Sequence, residues 1–278
     1  MKKLSVIITA YNQPESIARI LTRIGSVPWE VEIIVVDDHS DAEAQLKTLE
    51  VVSDFHVRTG AGLYEYMTTN GGCGGARNFG VGKTSGDWLW FVDGDDELAP
   101  GAIDKVIEAI DRAKTSIIAI GYEIRKAGGE TSEVIPSAEL NPWEWSITAW
   151  SKIVRRSIFK EFAAPFVEDN DWWFRECLES PKMDVLPGIC YVYYKQTPGS
   201  VTAIFDRIWQ NSKANRPLAL HKLVAAMDRD AWVVAAMLGM MGRLIKVRCE
   251  AVERKVPDGL VAAIDFAIKY FERAIVRE

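Results

Sequence analysis

The sequence has few cysteines, and their spacing suits neither a zinc site nor a disulfide framework. The four are Cys73, Cys177, Cys190 and Cys249. None of them forms the closely spaced pair that is typical of zinc ligands. We therefore expect reduced thiols, which are the usual state of cysteines in the cytoplasm.

Long hydrophobic runs are also lacking. The longest uncharged apolar stretch runs from Ala231 to Gly242, whereas a helix that spans a membrane needs roughly 20 such residues. The first residues, Met1-Lys2-Lys3-Leu4, lead into an apolar run of one strand's length without the cleavage site of a signal peptide. We therefore expect a cytoplasmic protein without a transmembrane segment.

The chain has no excess of positive charge. It contains 33 Lys and Arg against 39 Asp and Glu, for a net charge of −6. Nucleic-acid-binding proteins are normally basic, so this balance disfavours nucleic acid as a partner. Hydrophobic residues make up 48% and charged residues 26%, which is typical of a globular protein. The 278 residues suffice for one large α/β domain with an appendage, or for two modest domains.

Strand-like and helix-like patterns alternate along the first 120 residues. The predicted strands are Leu4–Ala10, Val31–Val36, Trp88–Val92 and Ser116–Tyr122, with a short third strand placed at His56–Val57 and Tyr64–Thr68. The predicted helices are Pro14–Ile24, Asp41–Val52, Gly75–Lys83 and Pro100–Lys114. This alternation predicts right-handed βαβ units and a mostly parallel sheet flanked by helices.

The remainder divides into an aromatic-rich middle and a helical last third. A hairpin turn is predicted at Lys126–Gly129, and most of the aromatic rings around it are expected in the core. Apolar residues at helical spacing predict a long helix from Leu220 to Ile245, and Pro257-Asp258 begins a second. We favour a helical hairpin docked on the core; a homo-oligomer interface and a peripheral membrane contact are the alternatives. The expected domains are residues 1–204, with halves 1–122 and 123–204, and a helical extension over 205–278.

Polar residues follow three of the predicted strands, and open α/β sheets bind ligands at the carboxyl ends of their strands. Thr9-Ala10-Tyr11-Asn12 follows the first strand, where Tyr11 can stack on a flat base. Asp37-Asp38-His39-Ser40 follows the second; one of its carboxylates can cap the next helix and the other can accept hydrogen bonds from a base or ribose.

The third loop, Asp93-Gly94-Asp95-Asp96, has three carboxylates within four residues. Their mutual repulsion favours a divalent cation, and hard oxygen ligands select Mg²⁺ or Mn²⁺. Such an ion would stabilise a departing diphosphate as a Lewis acid. The alternative is a solvated turn.

Two further segments carry candidate residues. Asn70 to Asn78 is rich in glycine, which permits close approach of a phosphate to the start of a helix, and Arg77 adds a positive charge. The segment matches neither a Walker loop nor a dinucleotide fingerprint after the first strand. Val167 to Trp172 places acidic residues beside large aromatics, where a carboxylate can act as a general base or merely cap a helix.

Taken together, these segments resemble the family 2 glycosyltransferases of the GT-A fold. The matching pieces are SVIITAYNQPESI, IIVVDDHSD, NGGCGGARNFGVGKTSGDWLWFVDGDDEL, WSKIVRR, VEDNDWWFR and YKQTPGSVT. The resemblance implies a nucleotide-sugar site, a metal site for Mn²⁺ or Mg²⁺, and a catalytic base. The residues implied for the nucleotide-sugar are Thr9, Ala10, Tyr11, Asp38, Asn70, Gly74, Arg77, Asp93 and Gly94. The implied metal ligands are Asp93, Asp95 and Asp96, and the implied base is Asp169, with Glu168 as the second choice.

The resemblance also implies an inverting reaction. A sugar would move from a nucleotide diphosphate, commonly UDP, to an acceptor hydroxyl on a glycan or a lipid-linked glycan. Many relatives have a histidine near the PGS segment, whereas this chain has Gln196 beside Lys195, which leaves the contribution of that loop to the metal or phosphate site open.

Three other functions remain to be separated from this one. A non-catalytic nucleotide-sugar-binding module is disfavoured by the intact acidic residues. A nucleotidyltransferase would have a glycine-rich basic loop directly after the first strand, where this chain has AYNQPES. A glycosyltransferase with a nucleobase acceptor is disfavoured by the acidic net charge.

Overall fold

The computed structural model describes residues 3–126, 128–163, 169–195 and 243–276. Within these residues nine strands form one sheet with helices packed on it. The strands are β1 (Leu4–Ala10), β2 (Val31–Asp37), β3 (Leu63–Tyr66), β4 (Trp88–Asp93), β5 (Glu97–Leu98), β6 (Ile117–Lys126), β7 (Thr131–Val134), β8 (Lys152–Arg155) and β9 (Asp184–Lys195). The helices are α1 (Pro14–Ile24), α2 (Ala42–Thr59), α3 (Gly72–Lys83), α4 (Ala102–Arg112), α5 (Asp169–Glu179), α6 (residues 243–253) and α7 (Asp258–Val276).

The sheet order is β3-β2-β1-β4-β8-β6-β9-β5, and β7 pairs with β6. The strands β3, β2, β1 and β4 run parallel to one another. All residues of β1 are buried, as expected of a parallel strand covered on both faces. The predicted α/β fold is therefore confirmed, and its parallel half carries the three polar loops.

The second half of the sheet is mixed. Strand β8 runs antiparallel to both β4 and β6, and β5 runs antiparallel to β9, while β6 and β9 are parallel. The turn after Lys126 forms the expected hairpin, which pairs β6 with β7. The mixed half brings β9 close to the end of β4.

The predicted strand at His56–Val57 is wrong, because both residues belong to α2. This helix continues to Thr59 and ends at Gly60, which adopts a left-handed conformation (φ 71°) that favours glycine. The strand-like residues His56 and Val57 follow the buried Phe55, whose packing holds the last turn in helical form. The third strand begins only at Leu63.

The two faces of the sheet carry separate hydrophobic cores. Helices α1, α2 and α4 cover one face, through residues such as Ile17, Phe55 and Val106. Helices α3, α5, α6 and α7 share the core of the other face, which contains Trp172 and Leu260. The acidic end of β4 and the start of α5 meet beside this second core.

The helices α6 and α7 dock on the body of the protein. Their apolar residues are buried in the same core as Trp145 and Trp172. These residues are Leu244, Val247, Ala251, Leu260, Ile264 and Ile268. Most of the long helix predicted over Leu220–Ile245 lies outside the described residues. Within the described ranges, every helix is too short or too polar to cross a bilayer.

Candidate active site

The register of the parallel strands brings the three polar loops together. Ala10 pairs with Asp37, and Thr9 pairs with Asp93. A Cβ atom on Gly94 would lie 2.2 Å from the carbonyl oxygen of Thr9, so only glycine permits this approach. Thr9 and Ala10 are buried, whereas Tyr11 is 51% exposed. The loops therefore lie together at one end of the parallel strands, with an accessible aromatic ring at Tyr11.

The second loop is tied to the start of α3 through Asp38. The Asp38 Oδ1 accepts a hydrogen bond from the Gly71 amide at 2.6 Å, and Asn70 Nδ2 donates to the Asp38 carbonyl at 3.0 Å. Burial raises the pKa of Asp38, while the amides of Gly71 and Gly72 act in the opposite direction. The neighbouring Asp37 accepts from Tyr64 and from the Ser40 amide. Asp37 thus supports the loop, and Asp38 faces the glycine-rich segment, where buried Gly74 also lies.

The first two loops are also bonded to each other. Asn12 and His39 both have positive φ angles, 53° and 68°. The Asn12 amide donates to Ser40 Oγ at 2.9 Å, and the Asp41 amide donates to Asn12 Oδ1 at 2.9 Å. Such backbone conformations cost about 1–3 kcal/mol each and are common at functional sites. These hydrogen bonds hold both loops in place beside Tyr11.

The third loop is fixed by a tyrosine from β9. The Tyr191 hydroxyl accepts a hydrogen bond from the Asp93 amide at 3.1 Å and donates to Asp96 Oδ2 at 2.7 Å. The Tyr194 amide donates to Asp96 Oδ1 at 2.9 Å. Both carboxylate oxygens of the buried Asp96 are therefore used within the protein.

Asp95 carries an electrostatic penalty. Burial, together with the neighbouring charge of Asp93, raises the pKa of Asp95 to about 6. The same causes, burial first, raise the pKa of Asp96 well above its ordinary value. A cation beside Asp95 would relieve this penalty, because an opposite charge favours the ionised carboxylate.

Arg77 joins the third loop to the predicted base. Its Nη2 donates to Asp93 Oδ1 and its Nη1 donates to Asp169 Oδ1, both at 2.7 Å. The guanidinium is buried and lies 5.1 Å from the ring centroid of Phe162. The side chains of Asp93 and Asp169 remain 25% and 22% exposed. One buried cation thus holds two carboxylates that remain partly exposed to solvent.

Asp169 stands at the first residue of α5. Its Oδ2 accepts a hydrogen bond from the Ala149 amide at 3.2 Å, so both carboxylate oxygens have partners. Glu168 and Gln196, the other residues considered for this part of the site, lie outside the described residues, and Lys195 is the last residue of β9.

The fold and the cleft agree with a comparison to known families. Residues 5–164, more than half of the chain, match the sequence model of Glycosyl transferase family 2. The chain belongs to this family. The glycosyltransferase resemblance inferred from the sequence is therefore confirmed.

The curated relatives of this glycosyltransferase include two bacterial proteins. It is 30% identical over 138 residues to the succinoglycan biosynthesis protein ExoO of Rhizobium meliloti, covering 49% of this chain and 38% of ExoO. It is 26% identical over 185 residues to the poly(ribitol-phosphate) β-N-acetylglucosaminyltransferase TarS of Staphylococcus aureus, covering 65% of this chain and 31% of TarS. The glycosyltransferase therefore spans less than half the length of either relative.

Solved structures of TarS have a similar fold. The structure of TarS residues 1–349 in complex with UDP-GlcNAc has a TM-score of 0.60 at 19% identity, covering 99% of this chain and 82% of the TarS chain. The complex of the same TarS residues with UDP has a TM-score of 0.58 at 20% identity, covering 82% and 68%. At this level of identity the likeness establishes the shared fold.

The glycosyltransferase site also contains residues that sequence reasoning missed. Tyr191 fixes the loop Asp93–Asp96 by its hydrogen bond to Asp96. The ring of Trp150 stacks on the ring of Tyr191, with centroids 4.5 Å apart and an angle of 4° between the planes. The Ala149 amide contacts the predicted base. These residues come from β9 and from the turn before β8, so their roles depend on strand pairing across the mixed half of the sheet.

Replacing Tyr191 with phenylalanine tests how the acidic loop is held. The change leaves Asp96 Oδ2 and the Asp93 amide without their hydroxyl partner. We expect the free energy of unfolding to fall by about 1–3 kcal/mol, and binding of a nucleoside diphosphate, measured with and without Mn²⁺, to weaken several-fold. Denaturant titration and calorimetry measure the two effects. Tyr194→Phe is the matched control, because that hydroxyl accepts a hydrogen bond from Arg125. Equal effects from both variants would contradict the assignment.

Proposed function

We propose that this chain is an inverting glycosyltransferase that moves a sugar from a UDP-sugar to a hydroxyl of a glycan or lipid-linked acceptor. The observation that carries the proposal is the Arg77 bridge. The Arg77 guanidinium lies between Asp93, in the loop after β4, and Asp169. It donates one hydrogen bond to a carboxylate oxygen of each, and both N–O distances are 2.7 Å. Donor activation and acceptor deprotonation can then occur in one cleft.

The donor site in this proposal lies along the ends of β1 and β2. Tyr11 supplies an exposed ring for the base, and Asp38 supplies a hydrogen-bond acceptor close to the start of α3. The TarS structure with UDP-GlcNAc has the same fold and supports a uridine donor. The glycine-rich start of α3 leaves room for phosphates near the positive end of a helix.

The residues present fit a divalent cation that is shared with the donor. Within the described part of the chain, no three His, Cys, Asp or Glu side chains converge on one point. Mg²⁺ is commonly held by one or two carboxylates together with substrate phosphates. We therefore assign Asp95 and Asp93 to the ion, and Asp96, whose oxygens are already bonded, to support of the loop. When bound, the ion would supply Lewis-acid stabilisation of the diphosphate charge.

Asp169 acts as the general base in this proposal. The Arg77 guanidinium and the Ala149 amide each hold one of its carboxylate oxygens in place. The carboxylate is 22% exposed, so an acceptor hydroxyl can reach it. Removal of the hydroxyl proton as the hydroxyl attacks the anomeric carbon gives inversion in one displacement, without an enzyme nucleophile.

The first test is a thermal-shift panel of UDP, CDP, GDP and ADP, each with and without Mn²⁺. We expect UDP with Mn²⁺ to stabilise the protein most, by about 2.7 kcal/mol at 100 times its Kd. Equal shifts with and without the metal would count against the assignment of Asp95. The largest shift with a purine nucleotide would count against the uridine donor.

Asp95→Asn sharpens this test because it has opposite effects on the free and the liganded protein. The pKa of Asp95 is higher in the folded chain than in the unfolded chain, so its ionisation at pH 7.5 lowers the free energy of unfolding. We expect the variant to melt a few degrees higher than wild type without ligand, and to lose the metal-dependent part of the UDP shift. Asp104→Asn, on the exposed side of α4, should change neither value. A variant that melts lower and keeps the full shift would contradict the proposal.

A further inference from the structure

Lys152, on β8, is a fully buried cation outside the residues discussed so far. Its Nζ donates hydrogen bonds to the carbonyl oxygens of Ser146 and Thr148, the latter at 2.7 Å. The ammonium lies 3.9 Å from the ring centroid of Trp173. Among the side chains that the structure describes, no carboxylate lies within ion-pair distance of it. Burial of a charge is costly, so its retention at this position requires a reason.

The peptide group between Thr148 and Ala149 supplies that reason. Its carbonyl accepts from Lys152, and its N–H donates to Asp169 Oδ2 at 3.2 Å. The hydroxyl of Ser151 donates to the same carbonyl at 2.8 Å. A cation at the carbonyl end of a peptide strengthens the donor at the other end, because chained hydrogen bonds polarise each other. Lys152 is thus connected to Asp169 through a single peptide.

We infer that Lys152 is a positioning residue for the base: it fixes and polarises the Thr148–Ala149 peptide, which orients the Asp169 carboxylate. The inference rests on the proposed function, in which Asp169 accepts the proton. Lys152 itself does not contact the substrate in this account, because it is buried beneath the residues from Ser146 to Ala149.

The charges around Lys152 support this role. Burial lowers the pKa of Lys152 to about 7, while the negative charge of Asp169 opposes that change and the positive charge of Arg77 adds to it. Burial also raises the pKa of Glu176 to about 8. Asp169 therefore favours the ammonium form of Lys152, and the two groups are connected through the Thr148–Ala149 peptide.

The test measures UDP release from a UDP-sugar in water, where water takes the place of the acceptor hydroxyl. For Lys152→Met we expect kcat to fall about tenfold to a hundredfold, with the donor KM within about twofold of wild type. The acidic limb of the kcat profile should move to higher pH by about half a unit or more, because Asp169 loses a nearby positive charge.

Two further variants separate charge from packing. Lys152→Gln can still donate to the carbonyls but has no charge. We expect the same movement of the acidic limb of the kcat profile, with a smaller loss of kcat. This variant also serves as the test of the inference if Lys152→Met does not fold. Ser151→Ala removes a neutral hydrogen bond to the Thr148 carbonyl and should leave the limb in place. The inference would be overturned if the folded Lys152 variants kept the acidic limb of the kcat profile at its wild-type pH, or if they changed only the donor KM. Absence of UDP release by the wild type would overturn the proposed function instead, and this inference with it.

Discussion

Asp169→Asn is expected to lower kcat for transfer by about 10²- to 10⁴-fold, while the Kd of UDP with Mn²⁺ stays within about twofold of wild type. This range is the usual contribution of a general base. The amide can still accept from Arg77 or Ala149, which are the partners of the carboxylate, but it cannot take a proton. Steady-state kinetics of UDP release and calorimetric titration of UDP separate the two effects.

Asp265→Asn is the matched control for this change. Asp265 is an aspartate on α7 that is ion-paired with Arg248, and it lies outside the predicted site. We expect its loss to leave both kcat and UDP binding unchanged. If Asp169→Asn retained wild-type turnover, the base would be a different residue, and the carboxylates nearest in sequence would have to be tested next.

Arg77→Met has the second large expected effect, on both stability and activity. Its removal leaves Asp93 and Asp169 without the buried cation that both contact at 2.7 Å. Removing one partner of a buried ion pair typically costs about 3–5 kcal/mol. We expect a loss of this size in the free energy of unfolding, measured by denaturant titration, together with loss of UDP release under conditions where the variant is still folded.

Two controls distinguish this bridge from an ordinary buried arginine. Arg156 donates to the carbonyls of Val81 and Gly86, near the amino end of β4 and away from the three polar loops. Arg156→Met should reduce stability and leave donor binding and kcat per folded molecule intact. Adding Asp93→Asn to Arg77→Met should recover part of the lost stability but none of the activity. An Arg77→Met protein with wild-type stability would show that the two carboxylates do not depend on the bridge.

The grouping of the three polar loops could be predicted from the sequence because its signals are local. Each polar loop directly follows a strand with a nearly continuous apolar pattern, and parallel strands place such loops at one edge. Thr9, Asp38 and Asp93 accordingly lie at adjacent strand ends. The excess negative charge of the third loop could also be predicted, because Asp93, Asp95 and Asp96 lie within four consecutive residues.

The internal contacts of the site could not be predicted in this way. The pairing of Arg77 with Asp169 joins residues 92 positions apart, and Tyr191 reaches Asp96 across 95 positions. These contacts depend on how the mixed half of the sheet is ordered, which no local pattern specifies. Arg77 was expected at the diphosphate, and the structure adds a role between two carboxylates that its position in a glycine-rich segment did not indicate.

The most direct measurement is a crystal structure with UDP and Mn²⁺, recorded so that the anomalous signal of manganese locates the ion. We predict one anomalous peak within coordination distance of an Asp95 carboxylate oxygen and of diphosphate oxygens, with the uracil ring against Tyr11. A nucleotide bound elsewhere, with no manganese beside Asp95, would contradict the account.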